Sequence, residues 1–533
     1  MTTTQGVRRG GRILALLGDD GVFGRSLALI VLVSAWVATW RPMVDPDFGW
    51  HLRIGERVLD GSGLPRTDVF SWLTAGQPFV AHSWAWDVLL AGVFRAGGLM
   101  GTSLLALPVS AAAVALTWYL IGLTAPSVPP FPRSVLVAVG IVIGLPIWSP
   151  RAQIWDVVLV LACVALWSRW LRRGDVRALV AVPIVPFLWV NLHGGSALAF
   201  IACLLALAVA IPIGVRWGTW PRRPIRPLVI STLVALAAYV INPYGVEILG
   251  LAGNGQVGNA FLPAIAEWQP PAFGEVGFGA LRIVLAAGIL VAFGLRGRRR
   301  DPFLLLLAAG WTFLALGAAR FSIVAGPLLV IALAPGFGGS LRAWFGVAGG
   351  APVGTGDAVG AASRGAPPRA FFIAAAGVAG LIAVAGVLQI APARQSAKAA
   401  DTFPVAALSA LVDAGCHGRI LNAYDWGGYL IAGWTEPVAT YGSSPKDLVG
   451  VEAQLERVEI DPRPFLDGQA VQLVLMPTGG PLDRWLDEAD DWQVWHRDTQ
   501  ATIHLRLGSS GCPAVAAAAQ AGTGPAPQAG TRP

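Results

Sequence analysis

From residue 22 to residue 392 the chain alternates long apolar runs with short polar breaks. A helix needs ~20 apolar residues to cross the hydrocarbon of a bilayer, and somewhat fewer where flanking groups snorkel. Runs near that length fall at 22–40, 99–124, 134–149, 152–171, 177–192, 195–215, 227–243, 279–296, 302–319, 321–337 and 370–391, which predicts eleven membrane-spanning helices. The stretch 84–97 is also apolar, but it is short and carries Asp87 and Arg95. Hydropathy alone leaves it undecided.

Arginine decides it. Cytoplasmic loops of membrane proteins collect Lys and Arg. Here the clusters are Arg8/Arg9/Arg12/Arg25, Arg169/Arg172/Arg173/Arg177, Arg216/Arg222/Arg223/Arg226 and Arg296/Arg298/Arg299/Arg300. The first two share a side only if an even number of crossings separates them, so 84–97 is expected to lie along the interface as an interfacial helix. The N-terminal tail 1–21 is then cytoplasmic, the first external loop is 41–83, and everything beyond about 393 is extracytoplasmic. The expected setting is a bacterial-type plasma (inner) membrane, crossed many times.

Composition agrees. The chain has 533 residues, 55% of them hydrophobic and 13% charged, against ~25% charged in soluble domains, which excludes a soluble fold. The net charge of +7 sits in loop arginines, so it reads as an orientation signal and not as a nucleic-acid footprint. Of the four cysteines, Cys163 and Cys203 lie in apolar runs, while Cys416 and Cys512 bracket the one long hydrophilic stretch. That second pair is open to either a disulfide or two free thiols.

The topology drawn from arginine alone sends the unusual polar residues to one face. Asp45-Pro46-Asp47-Phe48-Gly49-Trp50-His51 and His82 occupy the first external loop. Arg151, the run Trp189 to Gly195 with His193, Asn242-Pro243-Tyr244, Glu267-Trp268 and Arg320 occupy later external turns. Ionisable groups at membrane depth are costly and usually serve an internal polar cavity. Asp45 and Asp47, spaced i and i+2, could present both carboxylates to an acceptor hydroxyl or to a divalent cation, Mg or Mn. Alternatively, Asp45 caps a helix that starts near Asp47. His51 falls one turn beyond Asp47 and is a candidate phosphate partner. Arg151 and Arg320 are isolated external arginines, suited to a phosphate clamp or to simple snorkelling. His193 points either into the same cavity or to the interface, and Glu267-Trp268 offers an acid and a stacking ring.

The chain carries no Walker loop, dinucleotide fingerprint, zincin helix or Cys-x-x-Cys pair. An external site also lacks access to cytosolic ATP and nucleotide sugars, so a membrane-delivered lipid phosphate fits better. Beyond 400 the composition turns soluble and predicts a small α/β domain over 400–508. Its strands are expected at 419–423 and 471–476, its helices at 446–459 and 481–488, and a closing hairpin at 492–506. The run Asn422 to Tyr429 reads as a carbohydrate-contacting loop or a Gly-tolerant turn. Residues 509–533 read as a disordered tail, and the inner loop 338–369 as flexible.

With Asp45-Pro46-Asp47, then Gly49-Trp50-His51 and His82-Ser83-Trp84, the chain resembles the GT-C superfamily of membrane glycosyltransferases, such as protein O-mannosyltransferases and aminoarabinose transferases. The resemblance implies a polytopic helical domain over 22–392 and a polyprenyl-phosphate-linked sugar donor. It also implies an extracytoplasmic glycan or protein acceptor and inversion at the anomeric carbon. It makes Asp45 or Asp47 the catalytic base, gives Arg151 and Arg320 phosphate contacts, and makes 84–97 an interfacial helix. His51, His82, His193 and Glu267 are the further candidate substrate-binding residues. A transporter or flippase of envelope lipids and a non-catalytic membrane scaffold are the competing readings.

Overall fold

A computed structural model of the protein describes residues 21–194, 197–250, 265–271, 301–344 and 368–512. The expected span 279–296, the arginines at 8–12 and 296–300, most of the 338–369 loop and the tail beyond 512 lie outside the described residues.

The described chain is mostly helical. In order it runs through α1 (Val22–Val37), α2 (Phe48–Leu59), α3 (Trp84–Thr124), α4 (Pro130–Ile143), α5 (Ile154–Arg173), α6 (Val176–Ala181) and α7 (Ile184–Leu192). Then come α8 (Ala197–Arg216), α9 (Arg226–Ala238), α10 (Pro302–Gly317), α11 (Ser322–Trp344), α12 (Pro368–Gln389), α13 (Pro392–Thr402) and α14 (Val405–Asp413). Five helices are long and apolar enough to cross a membrane, and five shorter apolar ones accompany them. This is a multi-pass membrane protein.

Local chemistry sets the helix ends. Proline opens α4, α9 and α10, where its missing N–H costs nothing. The Asp301 side chain caps α10 by accepting from the Leu304 amide at 3.2 Å. Within α3, Gly98 has φ 57° and ψ −151°, a conformation open essentially to glycine. It divides 84–97 from the apolar helix that follows. The run 177–192 is interrupted between Ala181 and Ile184, where Pro183 removes a backbone donor.

The bundle packs around α5, whose most apolar window is 72% buried. Trp167, Val160 and Cys163 in its middle are wholly enclosed. Outer helices present bare side chains instead: Leu205 is 63% exposed, Ile373 69% and Phe313 76%, as lipid-facing positions require.

The C-terminal region adds β1 (Ile420–Asn422), α15 (Tyr424–Gly433), α16 (Lys446–Glu456), α17 (Arg463–Gly468), β2 (Leu473–Pro477), α18 (Pro481–Asp487), β3 (Trp492–Arg497) and β4 (Ala501–Arg506). The sheet order is β1-β2-β4-β3, with β1 parallel to β2 and the other pairs antiparallel. Cys416 and Cys512 form a disulfide across 96 residues. Where the sequence suggested a turn or loop at 422–429, the chain forms α15. Gly427 and Gly428 weaken a helix on propensity, but both are buried there, and packing overrides propensity.

This sheet does not have a core to itself. Trp50, Ile54, Phe70, Phe79 and Ala81 from the 41–83 region join Leu421, Trp426, Tyr441 and Leu475 in one apolar cluster. Backbone bonds tie the two segments: Trp72 N–H donates to Val438 O at 3.0 Å, and Val438 N–H to Phe70 O at 2.9 Å. The 41–83 segment is thus folded between the bundle and the C-terminal sheet.

Candidate active site

The site begins with an Asx turn. The Asp45 carboxylate accepts from the Asp47 amide at 3.0 Å, and Asp45 O accepts from the Phe48 amide at 3.0 Å, which starts α2. The cap position of α2 is Asp47, without a side-chain cap bond, so Asp45 shapes the turn before the helix and does not cap it, and it has a second task as well. Arg151, in the turn before α5, grips it with two parallel bonds: Nε to Oδ2 and Nη2 to Oδ1, each 2.9 Å. Such forks have a fixed geometry. Asp45 is 3% exposed, so the pair is largely removed from water. Desolvation pulls Arg151 down, but Asp45 and Glu267 more than reverse it and hold it above its ordinary value. Burial pushes the Asp45 carboxyl up against the opposing pull of Arg151.

The chain of charges continues. Arg151 Nη1 donates to Glu267 Oε2 at 2.8 Å, and Arg320 Nη1 lies 3.1 Å from Glu267 Oε1. Arg320 also lies over the Trp268 ring at 4.2 Å. One carboxylate is thus clasped by two guanidiniums. Asp47 is more open than Asp45. Its Oδ1 accepts from Trp50 Nε1 at 3.0 Å. A Cβ on Gly442 would fall 1.6 Å from that same oxygen, so the segment between α15 and α16 closely approaches the Asp47 carboxylate. Asp425, on α15, is pushed up by burial and then by Asp47 and Glu267, which places it within electrostatic reach of both.

A second network holds the histidines. His51 Nδ1 is 2.6 Å from Asp87 Oδ1, and its ring stacks on Trp50 at 3.6 Å. The rings of His51 and His82 are 6.3 Å apart, and those of His82 and His193 6.2 Å. His193 Nδ1 is 2.8 Å from Asp156 Oδ1, which also accepts from Trp189 Nε1 at 2.7 Å. Three of the six histidines therefore form one line between two carboxylates. Burial, helped by His193 and His51, lowers His82 to about 3, so it is neutral at physiological pH. Burial pulls His51 down too, but Asp87, Asp47 and Asp45 outweigh it and its pKa is raised.

All eight residues singled out from the sequence lie in these two networks, and Trp50 joins them by touching Asp47 and stacking on His51. His51 is 7% exposed and turned to Asp87, so in this structure its ring serves a buried pair. Trp50 and Asp425 lay in runs the sequence singled out but had no site role there, and Asp87, Asp156 and Gly442 were not proposed as site residues. Asp87 and Asp156 had a signal in principle, since each is a lone acid in an apolar run.

A divalent cation needs carboxylate oxygens free to face it. At Asp45 each oxygen accepts one bond from Arg151. Asp483, Asp487 and His504 form a group with ligand atoms within 4.8 Å, in the C-terminal region. Arg497 bonds both acids there, at 3.0 and 2.7 Å.

No protein-family model matches the chain, and no curated protein matches it in sequence. Solved structures do. The oligosaccharyltransferase AglB of Archaeoglobus fulgidus, in complex with an inhibitory peptide and a dolichol-phosphate, superposes with a TM-score of 0.51 at 13% identity, over 85% of this chain and 69% of that one. The same enzyme tethered to an acceptor peptide containing the NVT sequon gives 0.52 at 14% identity over the same shares. ArnT from Cupriavidus metallidurans bound to undecaprenyl phosphate gives 0.47 at 15% identity, over 92% of this chain and 99% of that one. The chain shares the fold of these oligosaccharyltransferase structures.

Proposed function

We propose that the protein is a glycosyltransferase that moves a sugar from a polyprenyl-phosphate carrier to an extracytoplasmic glycan or protein acceptor. The observation that carries this is the Glu267 carboxylate held between Arg151 and Arg320, beside Asp45 and Asp47. A carboxylate clasped by two guanidiniums marks a place suited to an anion, and a phosphate offers more oxygens to the same forks. The AglB structure that contains dolichol-phosphate supports a lipid phosphate in this setting. Polar groups at helix ends, instead of near the bilayer midplane, favour an enzyme over a transporter.

In this reading the donor phosphate takes the place of Glu267 between the two arginines. Asp47, the more open carboxylate, removes the proton of the acceptor. The acceptor atom bonds to the anomeric carbon as the bond from that carbon to the phosphate oxygen breaks. The electron pair leaves on the lipid phosphate, where Arg151 and Arg320 offset its charge. A single displacement inverts the anomeric centre. Asp45 orients Arg151, and no step requires a metal.

The eleven-span topology fits the ten apolar helices of the described residues together with the expected span at 279–296. It places the N-terminus in the cytoplasm and the 400–508 domain outside. The Cys416–Cys512 disulfide supports that side, because such bonds persist in oxidising compartments. The test is envelope glycosylation in cells whose only copy carries Asp47→Asn or Asp45→Asn, at unchanged protein level. Loss of the glycan is expected for both, and full glycan in both overturns the proposal.

A further inference from the structure

The arginines at the other end of α5 do more than mark a loop. Helix α5 starts three residues after Arg151 and runs 20 residues to Arg173, roughly 30 Å at 1.5 Å per residue, which is one hydrocarbon thickness. At that far end, between α5, α8 and the segment leading into α9, lies a cleft of about 640 Å³. Its walls include Leu171, Ile211, Val215 and Trp220, its charged lining is Arg216, Arg222 and Arg223, and no carboxylate lines it.

The three arginines are not equivalent. Arg223 caps the end of α5, donating to Leu171 O at 3.2 Å and Arg172 O at 3.3 Å, just where Gly174 turns left-handed. Arg216 and Arg222 are exposed, and no hydrogen bond or ion pair engages either one among the described residues. Trp220 lies flat against Gly214, where a Cβ would come within 2.2 Å of its ring. Trp220 is 4% exposed and its buried Nε1 has no partner. A purely topogenic arginine needs only to stay in water. These two flank an apolar-walled cleft that contains an unsatisfied donor.

We propose that this cleft binds an anionic membrane phospholipid, with its phosphate between Arg216 and Arg222 and its acyl chains along Ile211, Val215 and Leu171. Two guanidiniums unpaired among the described residues, in a cleft whose lining holds no acid, select an anion, and apolar walls select an amphiphile over a hydrated free ion. Such basic pockets between membrane helices suit acidic headgroups. Tryptophan at the cleft fits the headgroup level of a bilayer.

The test uses the full chain in nanodiscs of phosphatidylcholine alone and of an equimolar mixture with phosphatidylglycerol, with retained lipid read by native mass spectrometry. The wild type is expected to retain phosphatidylglycerol over phosphatidylcholine. R216Q/R222Q should cut that preference at least about tenfold, while R216K/R222K keeps most of it. Thermal unfolding in phosphatidylcholine discs, unchanged between wild type and R216Q/R222Q, confirms that the fold is intact. Equal retention of the two lipids, or an undiminished preference in R216Q/R222Q, overturns the proposal. So does displacement of the retained lipid by inorganic phosphate alone, which would make this a free-phosphate site.

Discussion

Asp45 and Asp47 stand two residues apart and are held so differently that their substitutions should separate. Asp45 is buried and bonded twice to Arg151, so Asp45→Asn leaves a guanidinium without its main partner. Breaking a buried pair from one side costs roughly 3–5 kcal/mol, and less here because Arg151 keeps Glu267. A fall in unfolding temperature should accompany lost transfer. Asp47→Asn keeps a group that can accept from Trp50 Nε1, so transfer should fall with the unfolding temperature nearly unchanged. Equal destabilisation by both would remove the distinction drawn between orienting and base carboxylates. His82 carries a pH prediction. Its folded pKa, about 3, lies below the 6.5 of the free side chain, so protonation favours the unfolded chain. The stability this neutral ring preserves is complete above about 6.5 and is lost as pH falls toward 3. His82→Gln should flatten that acid limb, read as unfolding temperature against pH. The sequence made the carboxylates and arginines of this site visible because each is out of place in its apolar surroundings. It could not show which carboxylate meets Arg151, since those contacts span 106 residues.

The contact between α2 and α15 depends on two glycines. A Cβ on Gly49 would fall 1.7 Å from Gly428 O, and one on Gly428 would fall 1.9 Å from Pro46 O, the residue between the two acids. No rotamer relieves a clash with backbone, so Gly428→Ala must move either α15 or the Asp45–Asp47 turn. Glycosyl transfer should drop at least about tenfold, the scale of a 1 Å misplacement at a reacting centre, while the apolar bundle still inserts. Detergent-extracted protein that elutes as wild type yet retains full transfer would show that the crossing is not needed. This crossing also shows what periodicity missed. Apolar runs predicted helices because lipid-facing residues must be apolar whatever their neighbours. The segment 422–429 carries no such constraint, and of its two glycines, poor helix formers on their own, Gly428 is packed against a partner, Gly49, 379 residues away in the chain, and Gly427 against Thr440. Gly98, by contrast, marks a break that the polar residues before it had already suggested.

At the scale of the molecule, the 41–83 segment and the C-terminal sheet share one apolar core, so the sheet acts as a clamp on the Asp45–Asp47 turn. Trp50 from α2 packs near Tyr441 with ring centres 6.1 Å apart, and Arg53 Nη2 donates to Ala432 O at 2.7 Å. The same clamp is closed by Cys416–Cys512, which joins the start of the sheet region to its end over 96 residues. A cross-link closing a loop of about 100 residues removes chain entropy worth roughly 4–5 kcal/mol from the unfolded state, on the loop-closure account. The sequence left these cysteines open between a disulfide and two free thiols, because pairing depends on β4 returning beside β1's neighbour. Reduction should therefore lower the unfolding temperature of the C-terminal region while leaving the bundle intact, and the Cys416→Ser/Cys512→Ser variant should match the reduced protein. Because Gly442 and Trp50 both touch Asp47, loosening the clamp should also lower transfer, in parallel with the fraction of sheet unfolded as temperature rises. Differential scanning calorimetry with and without dithiothreitol, paired with transfer assays at the same temperatures, measures both quantities. Transfer that survives after the sheet has melted would show that the Asp45–Asp47 turn stands without its clamp and would reduce the C-terminal region to an accessory.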